Sequence, residues 1–286
     1  MAKKKRKTKR TRSSPSGSNF AKGIVPVDQV MDNLVFLVYG RSGSGKTHFS
    51  STFPKPILVI DVNEKGTDTI KGTSGIDLKR IKTWDEFEDG FWFLREGTKY
   101  KTIVVDQITN LQDFGMDEIR RRSKKTSQEL FTRKNWGSLS GLLKEWISNY
   151  RGLSDQYNIC LIAHQRTFDS GEEEMDEALD PSVGARVMPS VGSFLDGNVD
   201  AIGNTFIREG MIKKRGGKKE KHVDYCMRIG PHAFYSTKIR RPSSAGPLPD
   251  FISDPSYAKV MNLISGKITP AKKKTTKKRK KKLRRS

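Results

Sequence analysis

Leu37-Val38-Tyr39-Gly40-Arg41-Ser42-Gly43-Ser44-Gly45-Lys46-Thr47-His48 runs from an apolar stretch, through a glycine-rich turn, into residues that suit a helix. The turn has the spacing G-x-x-x-x-G-K-T, with Gly40, Gly45, Lys46 and Thr47 in the fixed positions. Glycines at such places let successive backbone N–H groups curl around an anion that a Cβ would obstruct. A helix opening directly after the turn points its positive end at the same anion. The strand-like residues 34–38 before the turn separate this pattern from a chance glycine cluster. The stretch therefore reads as a phosphate-binding loop for a nucleoside triphosphate, ATP by expectation, with Gly40 through His48 as the contacting set. Lys46 would meet the β- and γ-phosphates, and the Thr47 hydroxyl would be a ligand for Mg²⁺.

Working outward, strands and helices alternate. Residues 47–52 suit a helix that Pro54 and Pro56 end, and Ile57-Leu58-Val59-Ile60-Asp61 suits a strand buried on both faces. A minor strand near residues 79–81 leads to Thr83-Trp84-Asp85-Glu86, a capping-box pattern. Trp84, Phe87, Phe91 and Leu94 then recur at helical spacing. Thr102-Ile103-Val104-Val105-Asp106 is the next strand. Leu139, Leu142, Leu143, Trp146, Ile147 and Tyr150 mark a further helix, and residues 158–163 another buried strand. This order predicts an α/β fold, a mostly parallel sheet with helices on both faces. Residues 201–208 and 222–229 read as an antiparallel β-hairpin around a lysine-rich tip, and Tyr257–Ile264 as a C-terminal helix. The sequence has no internal repeat.

Charge is distributed unevenly. The 286 residues carry a formal net charge of +23. Residues 1–12 hold eight Lys/Arg and residues 271–286 hold eleven, with no acid in either, which leaves +4 for residues 13–270. The expected organisation is a basic arm over 1–22, an ATPase body over 23–268 and a basic tail over 269–286. Neither end can bury apolar surface, so both are expected to be disordered when free. Three uses suit them: sequence-independent, salt-sensitive contact with nucleic-acid phosphates, a nuclear targeting signal, or solubility. Few aromatics occur in them, so base stacking is not their work. No apolar run approaches the ~20 residues of a membrane span, and the start lacks a secretory pattern. The only cysteines, Cys160 and Cys226, lie in apolar strand-like runs, and the four histidines show no metal-ligand spacing with them. The expectation is an intracellular, cytoplasmic protein with core thiols and no membrane partner.

Several polar residues cluster at strand ends. Asp106, closing its strand, is the natural Walker B acid for Mg²⁺. The next residue is Gln107, where many ATPases place a water-activating glutamate. The base must come from elsewhere. Glu64, just past the strand ending at Asp61 and expected beside the first strand, is one candidate, and Asp61 is the other. His164 and Gln165 follow the strand at 158–163 and would face the ligand crevice. Gln165 could touch the γ-phosphate or its attacking water, with His164 supporting it.

The ordering of residues 40–47, Asp61 and Glu64, Asp106 and Ala163-His164-Gln165 resembles the RecA-type recombinase ATPases. More narrowly, it resembles the phage-encoded nucleotide-binding proteins that act as RecA-like single-strand annealing ATPases, over about residues 25–242. The resemblance implies a water-activating glutamate after the second strand, which favours Glu64, although Asp61-Val62-Asn63-Glu64 is one residue longer than the usual D-x-E. It implies that Gln165 senses the nucleotide and that residues 166–186 form a DNA-binding loop, though here that loop carries Glu172-Glu173-Glu174 and Asp176-Glu177. It also implies that Lys238 and Arg240 complete a neighbouring subunit's site as trans-acting cations. The implied function is ATP-dependent, single-stranded-DNA-binding recombination or annealing in a homo-oligomer, with a single-strand-binding protein as a further partner. A helicase or packaging motor on the same fold, and a basic binding module with a non-catalytic nucleotide switch, stay open.

Overall fold

In the computed structural model, residues 24, 26, 33–167, 183–213 and 219–267 are described. The chain divides into two units, residues 1–32 and residues 33–286, and every element below belongs to the second. The basic arm, the basic tail and most of the loop after Gln165 lie outside the described residues.

The elements follow in chain order: β1 (Val35–Gly40), α1 (Lys46–Ser50), β2 (Ile57–Val62), β3 (Ile76–Ile81), α2 (Trp84–Arg95), β4 (Thr102–Asp106), α3 (Ile108–Arg122), α4 (Arg133–Gly152), β5 (Asn158–Thr167), β6 (Val183–Ala185), α5 (Pro189–Asn198), β7 (Ala201–Lys213), β8 (Lys219–Ile229), β9 (Lys238–Ile239), β10 (Ile252–Ser253) and α6 (Tyr257–Ile264). The main sheet runs β10-β8-β7-β1-β5-β4-β2-β3. The six strands from β7 to β3 are mutually parallel, and β8, β9 and β10 each pair antiparallel to their neighbours. Two strands, β5 and β4, separate β2 from β1, so Glu64 does not follow a strand beside the first one. The expected neighbourhood was wrong by two strands.

Strand residues alternate between two cores, as the period of two requires. Val35, Leu37 and Tyr39 face α2 to α5, together with Ile103, Val105, Ile159 and Leu161. Phe36 and Val38 face α1 and α6, together with Val104, Cys160 and Ile162. Aromatic side chains weld each layer. Phe87 stacks on Tyr150 with ring centroids 4.8 Å apart, and Trp146 packs edge-on against Trp84 and Phe91. On the other face Phe49, Phe53 and Tyr257 form a chain of tilted and edge contacts. Burying rings of this size supplies much of the driving force of the fold. Cys160 and Cys226 are both buried free thiols.

Helices α3 and α5 were not anticipated. The buried side of α3 is Ile108, Leu111, Gly115, Glu118 and Ile119, so a glycine and a glutamate interrupt the apolar stripe. A Cβ at Gly115 would come within 2.8 Å of Leu139, which shows how closely α3 and α4 approach there. Helix α5 buries only Val191 and Leu195 and contains two glycines, too little apolar periodicity to stand out.

Candidate nucleotide site

Strand register brings the polar strand ends to one edge. Gly40 lies level with His164 on one side and Thr205 on the other, and Asp61 lies level with Asp106. All lie toward the carboxyl edge of the parallel pairing, where open α/β sheets form their ligand crevice, although β7 itself runs on past Thr205 to Lys213. The loop between β1 and α1 is locked by close approach. A Cβ at Gly40 would collide with Thr205 and Ser44, while the Ser44 hydroxyl bonds Thr205 Oγ1 at 2.7 Å and Arg41 O at 2.7 Å. Gly45, at φ +90°, is the residue before α1, a conformation that L side chains rarely adopt. Arg41, Ser42 and Gly43 are exposed along the loop, and His48 is exposed on α1.

Lys46 is buried, and its ammonium donates to Gly40 O at 3.2 Å and Arg41 O at 3.0 Å. Burial lowers its pKa, against the opposing pull of Asp106 and Glu64. The Thr47 hydroxyl donates to Asp106 Oδ2 at 2.9 Å. Burial pushes the Asp106 carboxyl up to about 6, with the Thr47 bond opposing and the charge on Glu64 reinforcing. A hydroxyl and one carboxylate side by side form a hard oxygen set that suits Mg²⁺, which takes one or two carboxylates plus substrate phosphates. Among the described residues, no group of three or more His, Cys, Asp or Glu forms a separate metal cage. Thr47 and Asp106 are thus the residues that would hold the ion.

Glu64 enters the same cleft on the turn after β2. Asp61 builds that turn. Its Oδ1 accepts from Glu64 N at 2.9 Å and Lys65 N at 3.3 Å, and Arg80 Nε donates to its Oδ2 at 3.2 Å. With both oxygens engaged and 1% exposure, Asp61 serves as a positioning residue for Glu64. Gln107 Nε2 donates to Glu64 Oε2 at 2.5 Å, and Asn110 Nδ2 reaches the same oxygen at 3.3 Å while also bonding Val62 O at 3.0 Å. His164 Nε2 lies 2.7 Å from Gln107 Nε2 and 3.5 Å from Glu64 Oε1. Burial, then Lys46, holds the His164 pKa below its ordinary value, despite Glu64. A neutral imidazole can accept from Gln107 through Nε2. His164 therefore supports the glutamate, a correction to its expected role beside Gln165.

Gln165 turns the other way. Asn204 Nδ2 donates to Gln165 Oε1 at 3.2 Å, and Arg228 Nη1 donates to Asn204 Oδ1 at 3.0 Å. The Arg228 guanidinium lies 3.7 Å from the Phe206 ring centroid and 4.3 Å from that of Tyr235. A side chain at the strand end is thereby wired into the β7–β8 ribbon.

Lys238 and Arg240 are not brought into this cleft. On and just after β9 they pair at the amino end of β7, beside Ala201 and Ile202, whereas Thr205 is level with the loop. Lys238 Nζ donates to Asp196 O, and Arg240 donates to Gly197 O at 2.9 Å and Asp200 Oδ1 at 3.0 Å. As placed, both cations satisfy the carboxyl end of α5, where positive charge is favoured.

The cleft measures about 670 Å³ and is closed by residues that sequence reasoning missed: Tyr225 on β8 and Asp254, Pro255 and Ser256 before α6. Gln107 and Asn110 were missed too. Their signal was two amides, three positions apart, in the first turn after a Walker-type strand. No helix among the described residues is long and apolar enough to cross a membrane. No curated protein matches the chain in sequence. The family model described as AAA domain matches residues 32–241. With that match covering most of the chain, and with a mostly parallel sheet whose glycine-rich loop leads into Thr47 bonded to Asp106, the chain belongs to the AAA domain family of P-loop nucleotide-binding proteins.

Proposed function

We propose that this protein hydrolyses ATP in a RecA-like manner and couples turnover to single-stranded DNA in recombination or strand annealing, as the phage-encoded annealing ATPases it resembles do. The observation that carries the hydrolytic part is the convergence of Lys46, Thr47, Asp106 and Glu64 in one cleft, with Glu64 held by Gln107 and Asn110 and with His164 behind Gln107. Lys46 neutralises phosphate charge, and a bound Mg²⁺ would add Lewis-acid stabilisation of the phosphate oxygens. Glu64 takes the proton of the attacking water as general base. Its amide donors fix the carboxylate's direction. Gln165, at the end of β5, is bonded through Asn204 and Arg228 to the β7–β8 ribbon and does not line the cleft, so its nucleotide-sensing role rests on the resemblance. The reading of DNA as partner rests on the basic arms, which hold 19 of the 23 net charges, and on the resemblance. Homo-oligomerisation rests on the resemblance alone.

ATP turnover measured with and without single-stranded DNA tests this. The expected result is a basal rate that DNA raises, with complementary strands annealed faster when ATP is present. Turnover indifferent to DNA would remove the recombination role, and directional unwinding of a duplex would replace it with a motor.

A further inference from the structure

The cleft is longer than a phosphate site needs. Its volume of about 670 Å³ falls in the ~300–1,000 Å³ range of pockets that bury a whole small molecule. Part of its lining is the phosphate-binding loop, and beside that stand Tyr225 and Asp254-Pro255-Ser256. We propose that this second wall is the base-and-ribose subsite, with the Tyr225 ring stacking on the nucleobase and the Asp254 carboxylate accepting from the ribose hydroxyls. The proposal rests on the reading of residues 40–47 as the triphosphate site.

Three observations support it. First, Tyr225 is 44% exposed although its ring reaches the loop: a Cβ at Gly45 would stand 3.2 Å from Tyr225 Cδ1. One edge of the ring is seated and the rest opens to the cleft. An aromatic surface left uncovered beside a polyphosphate cradle suits a base, whose π-face any ring can accept.

Second, the two halves of the wall are joined. Asp254 N donates to Tyr225 O at 2.7 Å, and β10 pairs with β8 through Ser253 and Cys226. Asp254 has φ +44°, an uncommon conformation for a non-glycine residue, and that backbone bond holds it there. Lys259 donates to the carbonyls of Ser253 and Asp254 at 2.8 and 2.9 Å, so the turn is fixed from outside as well. The Asp254 side chain stays exposed.

Third, the turn is anchored beyond the loop as well. Tyr257 N donates to Thr52 Oγ1 at 2.9 Å, and Thr52 lies just past α1, which ends at Ser50.

Binding of ATP and of inorganic tripolyphosphate to the full-length protein, each with Mg²⁺, separates the subsites. Tyr225→Ala should weaken ATP ~5- to 150-fold, the span that base–aromatic stacking covers, and leave tripolyphosphate unchanged. Tyr225→Phe should bind ATP like the wild type. Asp254→Ala should weaken ATP and bring it closer to its 2′,3′-dideoxy analogue. Equal weakening of both ligands in Tyr225→Ala, or weakening of neither, would overturn the base subsite. If tripolyphosphate binding instead survives Lys46→Ala unchanged, the triphosphate reading of the loop falls, and the base subsite with it.

Discussion

At the scale of single residues, the site depends on which carboxylate is free to accept a proton. Glu64 and Asp61 stand three positions apart, and nothing in the sequence beyond resemblance separates them. The hydrogen bonds do. Asp61 is spent on two backbone N–H groups and Arg80, whereas Glu64 faces the cleft under amide donors. Glu64→Gln should leave ATP binding nearly intact while turnover falls ~10²-fold or more, the scale of losing a general base. Asp61→Asn keeps an oxygen for the turn and should retain most activity. The reverse pattern in steady-state rates would assign the base to Asp61. The loop residues, Asp106 and the polar strand ends were legible because their spacing is a local property of the chain. The holders of Glu64 were not, because Gln107, Asn110 and His164 meet it only after the strands have taken their order. Tyr225 and Asp254 escaped notice for the same reason, lying far along the chain from the loop they adjoin.

At the scale of elements, most strands were legible because a central strand, buried on both faces, is an unbroken apolar run. Strand order was not, since nothing local says that β4 and β5 insert between β1 and β2. Helix α3 was hidden by the two residues that make it unusual, Gly115 and Glu118. Glu118 is buried, yet Arg121 donates to both of its oxygens at 2.7 Å and Arg122 to Oε1 at 2.5 Å. Burial raises its pKa, but the two guanidinium groups outweigh that and leave it below the ordinary value. A carboxyl whose pKa is lower folded than unfolded stabilises the fold above its unfolded pKa and loses that contribution as pH falls through the folded one. Glu118→Gln should therefore cost about 1 kcal/mol at neutral pH. In denaturant titrations the difference from wild type should close as the pH is lowered through about 4 and below. A difference that persists in acid would mean that packing, not charge, is what the substitution removes.

At the scale of the whole molecule, charge is unevenly spread along the chain. Residues 13–270, which include every residue lining the cleft, carry only +4, and the other 19 positive charges lie in residues 1–12 and 271–286. Deleting residues 1–12 and 271–286 should lower affinity for single-stranded DNA and flatten its salt dependence, by ~0.7 in log–log slope for each phosphate no longer neutralised. Basal ATP hydrolysis should survive the deletion. An unchanged slope in salt titrations would assign the ends to targeting or solubility. The bond from Tyr257 to Thr52 has a consequence of another kind. It spans 205 positions and ties the start of α6 to the turn just after α1. Chains are made from the amino end and begin to organise before they are finished. The loop of residues 40–47 thus leaves the ribosome long before Tyr225 and Asp254, which adjoin it in the cleft, and until α6 arrives the layer containing Phe49 and Phe53 has no cover there. A nascent chain of this protein therefore carries its glycine-rich loop through a long stretch of synthesis with the cleft beside it unfinished.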